Sequence, residues 1–225
     1  MKLRYFSHSA FQITNSKGIV ILIDPFLDDN PTSPVKSDQV RADYIILTHA
    51  HGDHIGDSFK IAKKHNALII CVFELANYCS SKGLNTHGMH IGGSHEFDFG
   101  RIKFTIAHHG AVTPDNTYGG VAAGVLITSD GKTIYHTGDT GLFYDMKLIG
   151  EMNKINYMLL PIGDNYTMGI TDAIKALELV NPDFAIPMHY NTFPVITADP
   201  NNFKNQAEAK GMKVKVLNFG EEIEL

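Results

Sequence analysis

The chain has 225 residues, 44% of them hydrophobic, with a net charge of −5, two cysteines and twelve histidines. That length suits one domain or two fused halves with a common core, and residues 1–225 are expected to form a single domain. The charge gives nucleic acid no special attraction, two cysteines cannot build a four-thiolate zinc site, and the longest early apolar run, residues 19–23, is too short to span a bilayer.

In chain order, residues 2–6, 10–15 and 19–23 have strand composition, the last ending at Asp24-Pro25. Residues 28–40 are polar and proline-rich, which predicts a surface loop. Residues 57–65 have helical spacing, 67–73 return to a strand, and 74–82 form a helix with Gly83 behind it as C-cap. Cys71 and Cys79 fall in this stretch and read as reduced, buried thiols. The middle is β-rich, at 96–99, 101–107, 120–128 and 133–135, with Asp130-Gly131 as a hairpin turn. The last third alternates. A strand at 157–160 precedes a helix at 172–180, capped by Thr171 and stopped before Asn181-Pro182. A strand at 184–186, a helix at 202–210 ended by Gly211 and a strand at 213–218 follow. Two successive β-then-α halves fit two sheets packed face to face with helices outside.

The chemistry concentrates where strands end. Tyr44-Ile45-Ile46-Leu47 runs into His49-Ala50-His51-Gly52-Asp53-His54, four candidate metal ligands within six residues. Imidazole nitrogen and carboxylate oxygen suit zinc, manganese or iron. On a helix, alternating His49, His51 and Asp53 would point to different sides; on a tight loop relaxed by Gly52 they can converge. Three further strands behave alike. Phe104–Ala107 ends in His108-His109, Ile134-Tyr135 in His136-Thr137-Gly138-Asp139-Thr140, and Phe184–Pro187 in Met188-His189-Tyr190. Loops on a rigid scaffold are where sites are built, and four of them delivered alike argue for one shared site.

These motifs together resemble the metallo-β-lactamase superfamily, over almost the whole chain from Leu22-Ile23-Asp24-Pro25 to Pro187-Met188-His189-Tyr190. Tyr135-His136-Thr137-Gly138-Asp139-Thr140 and Pro161-Ile162-Gly163-Asp164 resemble its uncharacterised metal-dependent hydrolase branch, similar in turn to ascorbate-6-phosphate lactonases. The resemblance implies an α/β fold, an αβ/βα four-layer sandwich with two mixed sheets and outer helices. It also implies two divalent metal ions, zinc or manganese: His49, His51 and His109 on the first, Asp53, His54 and His189 on the second, Asp139 bridging. Spacing alone leaves His108 and His109 as competitors; the family position selects His109. A hydroxide shared by the ions would then attack a small ester-like substrate, with Asp53 guiding its proton.

Weaker signals surround this set. Asp24 is a candidate for orienting a metal-bound histidine, in the place where the family also has Asp, and its other role is to cap the turn before Pro25. Thr48 and Thr140 offer hydroxyls to neighbouring ligands. His8, in Ser7-His8-Ser9-Ala10-Phe11, matches an early histidine of related hydrolases and is a candidate for substrate contact, with a structural hydrogen bond as its other role. Asp164 and Tyr190 are candidates for the pocket lining, and Phe143, Tyr144 and Met146 for an apolar wall or ordinary core. His136 orients a loop or faces solvent. His87, His90 and His95 around Gly92-Gly93 read as a turn-rich surface segment, and His65 as solvated. The leading function is a cytoplasmic metal-dependent hydrolase acting on a lactone or phosphorylated sugar lactone. The alternatives are a phosphodiesterase of the same fold and a di-iron redox protein, whose relatives carry Glu where His51 stands. Homo-oligomerisation stays open.

Overall fold

The computed structural model describes residues 1–225. A seven-stranded sheet contains β1 (Lys2–Ser7), β2 (Ala10–Thr14), β3 (Val20–Ile23), β4 (Tyr44–Ile46), β5 (Leu68–Val72) and β6 (Thr86–Met89), closed at one edge by the chain's last strand, Glu222–Glu224. The second sheet has six strands: β7 (Ser94–Phe97), β8 (Gly100–Ile106), β9 (Ala123–Ser129), β10 (Lys132–His136), β11 (Tyr157–Pro161) and β12 (Phe184–Met188). The terminal strand is β13. Six helices cover the sheets: α1 (Gly52–Ile55), α2 (Ser58–His65), α3 (Phe73–Ser81), α4 (Met146–Met152), α5 (Ile170–Val180) and α6 (Pro200–Glu208).

Both sheets repeat one plan. Antiparallel hairpins join β1 to β2 and β2 to β3, after which β3, β4, β5 and β6 run parallel. In the second sheet β7 through β10 pair antiparallel, and β10, β11 and β12 run parallel. Parallel neighbours require crossovers, and helices in those crossovers bury the sheet on its second face. Hence Val20-Ile21-Leu22-Ile23 is buried at every position instead of alternating. Period-two alternation sorts the second sheet. Val125, Ile127, Ile134, Leu159 and Ile186 point into the core shared with the first sheet. Leu126, Tyr135, Met158, Leu160 and Ala185 point outward against α5 and α6. The result is the mixed-sheet αβ/βα sandwich that the resemblance implies.

Several boundaries differ from the sequence reading. The helix expected behind Thr171 starts at Ile170, because Gly169 forms a bridge to Gly163 that ends the loop two residues earlier. Residues 213–218 make one bridge, Val214 to Ala185, and no strand; the chain leaves that edge to place β13 against β1 in the other sheet. Strand β6 and helix α4 lacked a signal. Gly150 weakens the helical pattern of α4, yet a Cβ there would meet the Val180 carbonyl oxygen at 2.3 Å. Close approach of α4 to α5 therefore requires the residue that hides the helix.

Phe203 of α6 is fully buried in the outer core of the second sheet, while Phe73 at the start of α3 is 48% exposed. Phe203→Ala is expected to lower unfolding stability by about 3–5 kcal/mol in a urea titration. Phe73→Ala is expected to stay within about 0.5 kcal/mol.

Candidate metal centre

The parallel strands of both sheets deliver their C-terminal ends to one edge of the sandwich. Asp24 follows β3, Thr48 to His54 follow β4, and Asp139 and His189 follow β10 and β12; antiparallel β8 adds His109. The loop after β4 is tighter than expected. His51 caps the single turn α1, and Asp53 and His54 lie within it. Only His49 and His51 belong to the extended part.

The side chains converge in two sets. His49, His51 and His109 each bring a nitrogen within 4.8 Å of the others, and so do the ligand atoms of His8, Asp53, His54 and His189. His49 Nε2 and His109 Nε2 lie 3.0 and 3.3 Å from His51 Nδ1. Asp139 Oδ2 stands between the sets, 3.0 Å from His189 Nε2, 3.3 Å from His54 Nε2 and 3.7 Å from His109 Nε2. His108 is exposed and stacks on Phe143, with ring centroids 4.8 Å apart, away from these nitrogens.

One buried carboxylate fixes two of the imidazoles. Asp24 is fully buried and accepts from the Thr48 N–H (2.9 Å), the Thr48 hydroxyl (2.6 Å) and His54 Nδ1 (2.7 Å). With its own proton given to Asp24, the Thr48 hydroxyl accepts from His49 Nδ1 at 3.1 Å. Both rings are thereby protonated at Nδ1 and turn the Nε2 lone pair into the site, the arrangement of metal-bound histidine. His8 acts similarly on Asp53: its Nε2 is 3.1 Å from Asp53 Oδ2 while its Nδ1 is 2.9 Å from Thr192 Oγ1.

The electrostatics suit a cation. Burial, then neighbouring histidines, holds the pKa of His49 well below the ordinary imidazole value, and burial likewise lowers His51 and His109. These rings stay neutral, the form that ligates. Burial opposes charge on His54 too, but Asp139, Asp24 and Asp53 together hold its pKa well above the usual value. His54 Nε2, Asp139 Oδ1 and His189 Nδ1 are buried with no hydrogen-bond partner. Such orphans are rare in a folded interior unless an ion or water completes them. One proton cannot satisfy His49, His51 and His109 at these separations; a cation accepting three lone pairs can.

A profile of the β-lactamase superfamily domain matches residues 20–190. The chain belongs to that superfamily. Within it, the UPF0173 metal-dependent hydrolase of Bacillus cereus strain G9842 is 52% identical over 230 aligned positions, covering 100% of both chains, so the branch is one of metal-dependent hydrolases. The structure of Igni18, a metallo hydrolase from the archaeon Ignicoccus hospitalis, superimposes with a TM-score of 0.90 at 41% identity, covering 100% of this chain and 98% of that one. An isothiocyanate hydrolase from Delia radicum gut bacteria gives a TM-score of 0.80 at 22% identity over 100% and 99%, a likeness of fold.

For this member of the superfamily the structure brings together His8, Asp24, His49, His51, Asp53, His54, His109, Asp139 and His189. Tyr190 does not join them: its ring packs into the outer core beside Phe219, where burial pushes its pKa up to about 12. Asp164 is exposed and lines a cleft with Gly169, Asp172 and Asp199 to which none of the ligand candidates contributes. His136 is buried; its Nδ1 accepts from the Gly138 N–H and its Nε2 donates to the Ser9 carbonyl, joining the Asp139 loop to the turn after β1. His87 and His95 lie on strands β6 and β7 with rings 4.3 Å apart, not in a turn. Thr192 and the rings of Phe26 and Phe193, 5.8 and 5.6 Å from His8, had no signal beyond Thr192 following His189 by three positions.

Gly138 sets Asp139 in place. Its φ is +62°, and a Cβ there would meet the Ala123 carbonyl oxygen at 2.5 Å. Loss of a group that orients a ligand typically costs 10–100-fold in metal affinity. Thr48→Val, which keeps the shape and removes the hydroxyl relay, is therefore expected to weaken zinc binding about 10–100-fold in competition with a chromophoric chelator, with the far-ultraviolet circular dichroism unchanged.

Proposed function

We propose that this chain is a dinuclear metal-dependent hydrolase acting on a small ester-like substrate, a lactone in the leading case. His49, His51 and His109 would hold one divalent ion, and Asp53, His54 and His189 the other, with Asp139 shared. The all-nitrogen and oxygen donor set suits zinc or manganese. Two such ions, when bound, lower the pKa of water toward neutrality and polarise the scissile group.

The chain's own residues supply orientation and dryness. Asp24 and Thr48 hold the tautomers of His54 and His49. His8, braced by Thr192, is a positioning residue that keeps Asp53 Oδ2 in one place, and the Phe26 and Phe193 rings pack edge-on against the buried His8 ring. Asp53 would guide the proton of the attacking water, and with water itself as the nucleophile no serine or cysteine is needed. The free, buried thiols of Cys71 and Cys79 accord with a reducing, cytoplasmic setting. No helix is long and apolar enough to cross a membrane.

The observation that carries this reading is the convergence of both histidine sets on Asp139, with His54 Nε2 and Asp139 Oδ1 buried there without a hydrogen-bond partner. Elemental analysis of protein loaded with zinc or manganese is expected to find two ions per chain, and neutral lactones and esters to be hydrolysed. Asp139→Ala is expected to lose at least one ion and nearly all turnover. One ion in the wild type would remove the shared role of Asp139, and turnover unaffected by Asp139→Ala would remove the mechanism. Stripping the metal with a chelator is expected to lower the melting midpoint by about 5–10 °C, the effect of losing about 2.7 kcal/mol of ligand-linked stability in a chain of this size.

A further inference from the structure

The loops that build the site contain no lysine or arginine. Residues 7–10, 24–35, 47–57, 107–122, 137–146, 162–169 and 189–199 hold none of the chain's 19 basic side chains. The basic residues just beyond them are engaged elsewhere. Lys36 donates to the Asp28 carbonyl, Lys60 to the Asp28 carboxylate, Lys82 to Asp115, and Lys147 faces Glu151. Carboxylates occupy the same loops: Asp115, Asp145, Asp164 and Asp199.

A helix N-terminus is the usual substitute for a basic side chain in anion binding. All six helices begin at this edge of the sandwich, and an acid stands at the cap or in the first turn of each: Asp53, Asp57, Glu74, Asp145, Asp172 and Asp199. Glu74 lies in the first turn of α3. Asp172 lies in the first turn of α5, and the Asp164 carboxyl carbon is 3.1 Å from where a Cβ on Gly169, the cap of that helix, would sit. The cleft beside it, about 560 Å³, is lined by Asp164, Asp172 and Asp199 with no cation.

What the loops present instead is apolar. Of the ten large hydrophobic side chains exposed on this protein, six lie on them: Val112, Tyr118 and Val121 after His109, Tyr144 after Asp139, Tyr166 after β11, and Val195 after His189. Exposed apolar side chains on the loops that carry a polar centre are what an apolar part of a ligand would meet there.

We infer that the substrate is an uncharged ester or lactone bearing an apolar group, and not a phosphorylated or carboxylated one. The inference rests on the hydrolase reading above and narrows it. Bound ions would engage the reacting carbonyl. A second anionic group, remote from that bond, would need its own counter-charge to leave water, and the loops offer it carboxylates. In the reaction the oxygen of water joins the acyl carbon and the acyl C–O bond breaks. One proton of the water goes to the departing alcohol oxygen, the other to the carboxylic acid product, which ionises.

The test uses matched pairs on the metal-loaded protein: p-nitrophenyl hexanoate against mono-p-nitrophenyl adipate, and glucono-δ-lactone against its 6-phosphate. The neutral member of each pair is expected to have a kcat/KM at least tenfold higher. Tyr118→Arg is expected to narrow the gap in the ester pair. Equal or higher kcat/KM for the anionic members overturns the inference while leaving the hydrolase reading intact. If no member is cleaved, the hydrolase reading falls, and calorimetric binding of hexanamide against adipic acid monoamide decides the inference. Tighter hexanamide supports it, and tighter monoamide overturns it.

Discussion

The carboxylate of Asp24 is the constraint on which the site depends. It is fully buried, its only protein partners are the Thr48 amide, the Thr48 hydroxyl and His54 Nδ1, and it has no lysine or arginine beside it. A buried charge without its partners is costly, so the chain has to bring the loop after β4 and the turn α1 to this point and hold them there. That requirement fixes the direction of the His54 ring and, through the hydroxyl, that of His49. A single side chain at the end of β3 thus sets one donor in each of the two histidine sets.

The two-sheet topology makes this convergence reproducible. Ends of parallel strands line up by construction, and in open α/β sheets the crevice beyond their carboxyl ends is where ligands bind. The tight turns at these ends also store strain. Asp24, His8 and His189 have φ of +45°, +55° and +53°, a left-handed conformation that favours glycine. Side chains chosen for chemistry hold positions that backbone preference alone would give to another residue, and the surrounding hydrogen bonds keep them there. The His189 N–H donates to the His8 carbonyl at 2.8 Å, so two of these strained turns, one from each sheet, brace each other.

Much of this was legible in the sequence, because metal ligation demands rare residue types at strand ends. The cluster from His49 to His54, Asp139 and His189 stands out against apolar runs that are themselves unambiguous strands, and the strand pattern is enough to suggest two packed sheets. The illegible parts share a physical cause: tertiary contact overrode local preference. Gly150 argues against a helix yet is required where α4 meets α5. The terminal Glu222-Ile223-Glu224 has poor strand composition yet pairs with β1 at the edge of the first sheet. His8 was visible as a residue, but its contact with Asp53 joins positions 45 apart, and nothing local announces it. Tyr190 beside His189 shows the converse, since sequence adjacency placed it near the site while its ring turned into the core.

The charge balance of the cluster links fold to chemistry. Asp24, Asp53 and Asp139 bring three carboxylates into a space that excludes most water, opposed chiefly by imidazoles that burial keeps neutral. His54 is the exception, its pKa raised by those same three carboxylates against its own burial. The lone pair that a proton would occupy on His54 Nε2 is the one that a cation would take, so proton and metal are alternatives at one atom. A cation bound there would cancel surplus negative charge at its centre, without a lysine or arginine from the surrounding loops. Those loops are accordingly free to carry tyrosine and valine in place of lysine and arginine. The inner cluster is fixed by the need to hold a cation, and the outer loops by what an already neutralised site can recognise.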